Sequence, residues 1–371
     1  MNLIIDAQVV SHDLGGGLRY INGMLQSILK LNNIFNIYIV GHKSVLDFLN
    51  IDRNKISLIE PAIDTRHPLK RLIYSYRLNR DLDKRFQHDS IYWLPINYGL
   101  PFKMKNIKTI LTIHDLNWFQ CPEISPFINR QFKKKGVAQA IKNTDVIISI
   151  SNFTKQQVYL YFKKLILDKP FYVLYEGCTI IDENSFLRHP VLEKRERYIL
   201  GVKVAGKNKN IEFLLQCFNK FKNEKSYEGK LYLVGWIGKE RKEKLLQSIK
   251  GTTIENDVEF LGFVKDEELP LFYKNCDLFL FPSYYEGFGL PTIEASNYGA
   301  KVCASDATAV EEISKEFAFL ASPFDVKSFT MTMKEAFESE DGRRVDKEKY
   351  NWDNSAKIFL DICEKTLNGL P

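Results

Sequence analysis

No two of the six cysteines form a CxxC pair. Cys121, Cys178, Cys217, Cys276, Cys303 and Cys363 are scattered over 371 residues, several in apolar surroundings. That spacing suggests neither a zinc site nor a disulfide framework, and it predicts reduced, buried thiols in a cytoplasmic protein. Long hydrophobic runs are also missing. No segment approaches the roughly 18 continuous apolar residues of a membrane-spanning helix. The opening MNLIIDAQVV has no basic stretch ahead of its apolar residues, so it reads as a first strand and not as a signal peptide. The glycines that follow do not make a GxGxxG, which excludes a dinucleotide fingerprint. No nucleic-acid-binding motif is recognisable. There is no internal repeat beyond an alternation of strand and helix patterns, which predicts two mainly parallel sheets.

What is present fits a two-domain globular chain. A length of 371 residues exceeds what one hydrophobic core serves, and 45% apolar with 26% charged residues is the balance of an ordinary globular protein. The net charge of +6 is unevenly placed: residues 1–190 carry +9 and the remainder −3. A positive N-terminal half favours an anionic partner such as a membrane surface or a phosphorylated acceptor.

Along the N-terminal half, apolar runs predict strands at Leu3–Ile5, Ile37–Val40, Ile56–Ile59, Ile91–Leu94, Thr109–Ile113, Asp145–Ile150 and Phe171–Leu174. Between the first strand and a helix over Leu18–Leu31 lies a loop ending in Gly15, Gly16 and Gly17. Gly16 and Gly17 there allow close backbone approach to a diphosphate near a helix start. The stretch HPLKRLIYSYRLNRDLDKRF, residues 67–86, places Leu69, Leu72, Ile73 and Tyr76 at helical spacing among six Lys and Arg. It predicts a basic amphipathic helix that meets a membrane or a lipid-linked acceptor. The strand Ile91–Leu94 opens into a loop with Pro95, Asn97, Gly99 and Pro101. The strand Thr109–Ile113 ends in His114 and Asp115. Polar residues at the carboxyl ends of buried strands stand where open α/β sheets bind ligands. Ser151 or Asn152 is a natural N-cap for the helix after them.

The C-terminal half starts a second α/β unit at Tyr198–Val202. Gly201, Lys203, Gly206, Lys207 and Lys209 precede a helix over Ile211–Phe221, a combination of point charges and close backbone that suits phosphate. Further strands are predicted at Lys230–Val234, Val258–Leu261, Leu278–Phe281 and Ala300–Ala304, with Asp266 capping a short helix up to Tyr273. The most telling stretch is FLFPSYYEGFGLPTIE, Phe279–Glu294. A buried strand runs into a loop where Glu286 and Glu294 bracket seven residues. Gly287 and Gly289 allow positive φ, and Pro291 suits a first helical turn. The amides of Phe288, Gly289 and Leu290 stand where a helix start can bind an anion. Two carboxylates and a helix start can together hold a phosphate and two sets of sugar hydroxyls.

This E-x7-E within PSYYEGFGLPTIEA resembles the signature of the retaining glycosyltransferases of family 4. Lys209-Asn210 before a helix, the HDL…PE loop and SPFDV (Ser322–Val326) are similar to that family as well. The resemblance implies an α/β chain of GT-B architecture, two facing Rossmann-like domains with a central cleft. An acceptor domain would occupy residues 1–187 and a donor domain 188–351, with a last helix over 352–371 crossing back onto the first domain. It implies that Glu286 contacts the donor sugar, Glu294 the nucleotide ribose and Val264 the base. His114 would lie beside the sugar, though not as a general base. Lys209 and Lys203 would meet the diphosphate, although the family has an Arg near Lys203, which makes a bidentate contact that Lys cannot. Asn97 and Asp115 are the candidates for acceptor hydroxyls.

The expected activity is transfer of a hexose with retention, Glu286 and His114 standing at the reacting sugar. The mannosyltransferase-like members that build bacterial surface polysaccharide are the nearest in pattern. That favours GDP-mannose, with dTDP-rhamnose or a UDP-sugar behind it, and a saccharide or polyprenyl-diphosphate-linked acceptor. No Asp-x-Asp stands beside a cleft motif, so neither a metal nor another cofactor is expected, and nucleic acid is not an expected partner. The alternatives are a GT-B nucleotide-sugar epimerase and a non-catalytic sugar-binding subunit of a polysaccharide assembly.

Overall fold

A computed structural model describes residues 1–8, 10, 15–32, 34–61, 68–97, 100–121, 127–340 and 342–369. Part of the loop before Gly15 (residues 11–14), Gly99, and Pro122 and Glu123 of the HDL…PE loop lie outside them, as do the side chains of Leu69, Leu72 and Ile73. The chain divides into two compact units. The first comprises Met1–Phe119, Ser125–Gly177 and Glu348–Pro371, and the second Gln120–Ile124 and Cys178–Lys347.

In chain order the first unit holds β1 (Asn2–Asp6), α1 (Gly16–Leu31), β2 (Asn36–Val40), β3 (Ser57–Ile59), α2 (Pro68–Arg85), β4 (Ser90–Leu94) and β5 (Lys108–Ile113). The short α3 (Asn117–Gln120) follows, then α4 (Phe127–Asn143), β6 (Val146–Ser149), α5 (Asn152–Ile166) and β7 (Phe171–Val173). The seven strands form one parallel sheet in the order β3-β2-β1-β4-β5-β6-β7. Runs such as SIYWL and VIIS are buried along their whole length because helices cover both faces of a parallel sheet. Ser151 caps α5, its Oγ accepting from the Thr154 amide at 3.1 Å.

The second unit holds β8 (Tyr198–Val202), α6 (Ile211–Lys225), β9 (Lys230–Val234), α7 (Lys239–Ser248), β10 (Val258–Gly262), α8 (Leu269–Asn275) and β11 (Leu278–Phe281). It continues with α9 (Leu290–Asn297), β12 (Val302–Ser305), α10 (Thr308–Ser314), β13 (Phe319–Ala321) and α11 (Val326–Glu338). Its six parallel strands run β10-β9-β8-β11-β12-β13. β13 has only three residues and too little pattern to be read from sequence. The helix expected from Asp266 starts later, at Leu269, because Pro270 fits its first turn. Asp266 is therefore not its cap.

The last helix, α12 (Trp352–Leu367), belongs to the first unit. Trp352, Ala356, Phe359 and Cys363 are buried, and the Phe359 ring lies 4.4 Å from that of Trp93 in β4. Two glycines make room for Trp352. A Cβ on Gly23 of α1 would come within 2.2 Å of the indole, and one on Gly177 within 2.4 Å of the Trp352 nitrogen.

In each sheet the strand order reverses beside the first strand, between β1 and β4 and between β8 and β11. Side chains and loops at the carboxyl ends of such a pair line the crevice of an open α/β sheet. The six cysteines are free, and burial pushes the Cys217 thiol up to about 12. Among the described residues no helix is long and apolar enough to cross a membrane.

Candidate active site

In the second unit, the loops after β8 and β11 meet at the switch point and are tied together by backbone and amide groups. The chain leaves β8 through Lys203 in a left-handed conformation (φ 57°). It then makes a one-turn helix at Lys207–Lys209 and enters α6 through Asn210, also left-handed at φ 59°. The Asn208 carbonyl accepts from the Tyr284 amide at 3.0 Å and lies 2.8 Å from Ser283 Oγ, while its Nδ2 donates to the Tyr285 carbonyl at 2.9 Å. Asn210 Nδ2 donates to the Pro282 and Pro323 carbonyls. The Lys-Asn pair thus divides its work: the Asn fixes the loop and the Lys is left to carry charge.

Lys209 Nζ donates to Glu286 Oε1, and Ser283 Oγ donates to the same oxygen. Both ionic side chains are mostly buried, at 17% and 16% exposure, where a charge pair is less screened than at the surface. The Glu286 amide donates to Thr308 Oγ1 at 3.1 Å, which sets the backbone direction at this residue. Among the described residues Glu286 Oε2 accepts no hydrogen bond, so it can take a ligand hydroxyl.

Beyond Glu286 the chain turns into α9 at Gly289, φ 115°, a conformation in which an L side chain is strained. Gly287 does not take positive φ, contrary to expectation. Pro291 lies in the first turn, so the amides of Phe288, Gly289 and Leu290 stand at the helix start. Glu294 is 8% exposed and accepts from Tyr273 Oη at 3.0 Å. A buried carboxylate must be hydrogen-bonded to be tolerated, and Tyr273 of α8 supplies one such bond. Val264 is buried, at 4% exposure. Past the turn at Gly262 it is Phe263, 80% exposed, that points outward. Sequence pattern missed this because both residues are apolar and only packing separates them.

In the first unit, β4, β5 and the residue pair after β7 bring a second cluster together. Asn97 bridges two strand ends: its Oδ1 accepts from the His114 amide at 2.9 Å, and its Nδ2 donates to the Asp115 carbonyl at 3.0 Å. Asp115 Oδ1 accepts from the Asn117 amide at 3.2 Å and so turns the chain into α3. The His114 ring is committed on both sides. Nε2 lies 2.8 Å from the Pro95 carbonyl oxygen and Nδ1 lies 3.3 Å from a carboxylate oxygen of Glu176. Tyr20 of α1 packs against it edge-on at 4.7 Å. Burial would lower the imidazole pKa, but hydrogen bonding and charge from Glu176, helped by Pro95 and Asp115, outweigh it and raise the pKa. Both neighbours are acceptors, an arrangement that favours the protonated ring with its N–H groups turned toward them.

Glu176, 3% exposed, is the residue that sequence reasoning missed. Its only signal was its place in Tyr175-Glu176-Gly177, directly after β7. Gly16 and Gly17 do not form a loop: they are the first two residues of α1, with Gly15 before them at φ 54°. Gly-Gly pairs usually break helices, but here the apolar stripe of α1 carries the helix back to Gly16. Among the described residues no cluster of His, Cys, Asp and Glu could hold a metal ion.

The chain is similar to known proteins. Residues 182–357 match the family model described as glycosyl transferases group 1. The O-antigen chain mannosyltransferase B of Escherichia coli is 26% identical over 379 residues, covering 95% of this chain and 97% of that protein. The O-antigen chain mannosyltransferase RfbU of Salmonella typhimurium is 24% identical over 66% of this chain and 68% of its own length. Among solved structures, a sucrose-phosphate synthase from Thermosynechococcus elongatus superposes with a TM-score of 0.72 at 15% identity, with 100% of both chains covered. That last likeness is one of fold, the GT-B class with its two Rossmann-like domains.

Proposed function

We infer that this chain, a glycosyltransferase whose residues 182–357 are a group 1 domain, moves a hexose from a nucleotide-sugar to a saccharide acceptor with retention at the anomeric carbon. The observation that carries the reading is the Lys209–Glu286–Ser283 cluster at the switch point of the second unit, beside the start of α9. It puts a cation, backbone amides and a carboxylate where a sugar diphosphate needs all three.

The donor binds to the second unit. Its diphosphate lies against Lys209, Lys203 and the amides of Phe288, Gly289 and Leu290, which stabilise charge as it develops on the departing nucleoside diphosphate. Glu286 Oε2 accepts a hydroxyl of the sugar, and Glu294 accepts the ribose hydroxyls. The base meets the turn at Gly262 through backbone and Phe263. As the anomeric C–O bond breaks, the acceptor hydroxyl attacks from the face the diphosphate leaves and passes its proton to a departing phosphate oxygen. Both ring nitrogens of His114 face protein acceptors, which leaves neither turned to the acceptor hydroxyl and supports the phosphate as base. Asn97 and Asp115 orient the acceptor. No divalent metal takes part in this reading.

Two O-antigen mannosyltransferases as relatives support GDP-mannose as donor, with dTDP-rhamnose or a UDP-sugar as the alternatives. They also support a growing saccharide on a polyprenyl diphosphate as acceptor. The enzyme then works in the cytoplasm at the inner face of the membrane, the outward Arg77 and Arg80 of α2 adding attraction to anionic lipid.

Titration calorimetry with GDP-mannose, dTDP-rhamnose and UDP-glucose, followed by mass spectrometry of products, tests the donor. GDP-mannose is expected to bind and to extend a mannosyl acceptor in the presence of a chelator. Glu286→Ala should lower transfer by about a hundredfold or more while leaving the melting temperature within a few degrees. Substantial transfer by the folded variant, or donor consumption without any acceptor, would reject the reading.

A further inference from the structure

The structure assigns a bilayer-docking surface to the N-terminal half of α4, a helix whose sequence drew no attention, and names anionic lipid headgroups as its partner. α4 buries Val137, Ala140 and Ile141 on one side. At about 100° per residue, Phe127 falls on the flank of that side, and Ile128 and Phe132 on the opposite side. They are 65%, 68% and 68% exposed. Three large apolar side chains this exposed, on a helix whose inward face is already packed, have no role in the core of this unit.

Charge identifies the occupant. α4 carries Arg130, Lys133, Lys134, Lys135 and Lys142 and not one Asp or Glu. The adjoining α5 carries Lys155, Lys163 and Lys164, again with no acid, and exposes Leu160 at 68%, with Leu167 just beyond its end at 64%. The two helices meet at Phe119: the Tyr161 ring of α5 stacks on it at 4.2 Å, and Lys134 Nζ of α4 lies 5.3 Å from its centroid. None of Arg130, Lys133, Lys134 and Lys135 has an ion-pair partner among the described residues. Exposed Phe and Ile flanked by uncompensated Lys and Arg is the composition that lies in a membrane interface, the rings entering the acyl boundary and the cations meeting phosphates.

α2, the helix expected to do this from its sequence, exposes Tyr76 at 59% but turns its next apolar residues inward. Leu78 and Leu82 are buried in the core of the unit, together with Phe86 just past the helix end. It can contribute charge from Arg77 and Arg80, while α4 contributes the insertion. The proposal rests on the lipid-linked acceptor only for its purpose; its readout needs neither donor nor acceptor.

The test uses the full chain and vesicles of phosphatidylcholine with and without phosphatidylglycerol. The wild type should sediment with the anionic vesicles and be released by salt. Phe127→Ser/Phe132→Ser should bind about tenfold more weakly, and Lys133→Glu/Lys135→Glu should lose binding. All these positions are exposed, so folding is not at risk. In Phe132→Trp, anionic vesicles should shift the tryptophan emission to shorter wavelength. Equal binding to both vesicle types, binding without that shift, or the appearance of a dimer lost with Phe132→Ser would overturn the assignment. Both double variants should still extend a short water-soluble acceptor like wild type. Loss of transfer to that acceptor in the wild type itself would count against the proposed reaction instead, and leave the vesicle result to stand on its own.

Discussion

At the scale of single residues, the two candidate clusters differ in how their charges are held. Glu286 faces one cation and one hydroxyl and keeps an oxygen for a ligand. His114 is locked between a carbonyl and a carboxylate and keeps nothing. That lock has a pH signature. The folded-state pKa of His114 is raised, so the fold favours its protonated form. The stabilisation is fully present below the ordinary imidazole value of about 6.5 and is lost as pH rises through the raised one. Glu176→Gln removes the charge that raises it. Melting curves taken from pH 5.5 to 9, on the order of two units either side of neutrality, should show the wild type most ahead of Glu176→Gln at the acid end, the gap closing toward the alkaline end. A gap that widens with pH would mean the ring is neutral in the fold. Glu286, Glu294, Lys209 and His114 stood out in the sequence as candidates because each belongs to a recognisable pattern. Glu176 was not, since its meaning comes from a partner on another strand.

At the scale of elements, helices were legible where an apolar stripe marks them and misread where packing overrules the stripe. α1 shows the first case, with Tyr20, Ile21, Met24, Leu25 and Ile28 buried along one side. Its Gly23 is a packing device, because the Trp352 indole of α12 occupies the space a methyl would need. Ala is the better helix former by about 1 kcal/mol, yet Gly23→Ala should destabilise the chain by roughly 1–3 kcal/mol through overpacking. Urea unfolding measures it, and adding Trp352→Leu to Gly23→Ala should recover part of the loss. α2 and α4 show the second case. The basic stripe of α2 drew the membrane expectation, while in its described half Leu78 and Leu82 face inward and, of the apolar residues, only Tyr76 is exposed. α4 has no stripe at all, because its apolar residues lie on opposite sides at its two ends.

At the scale of the molecule, the first unit is assembled from both ends of the chain. α12 arrives from residues 352–367 to cover Tyr20 and Trp93, whose rings it meets at 6.0 Å and 4.4 Å. A chain ended after Lys347 should therefore lose the first unit's packing while keeping the second's. Limited proteolysis should cut readily between residues 1 and 177 and spare residues 182–347. Protection of the first stretch in the shortened chain would show that α12 is dispensable.

The sequence alone determined the architecture and the candidate Glu286–Glu294 signature. Alternating apolar runs and helical stripes leave only parallel α/β sheets able to bury both faces, and Glu286, Gly289, Pro291 and Glu294 stand close enough in the chain for local geometry to hold them. Tertiary structure alone decided which side chains those groups meet. Lys209 reaches Glu286 across 77 residues and Glu176 reaches His114 across 62, contacts that exist only once β8 lies beside β11 and β7 joins the sheet of β5. It also decided which apolar residues are core and which are surface: Val264 against Phe263, Leu78 against Phe132. Hydrophobicity is a property of the residue, but burial is a property of the neighbours that the fold brings to it.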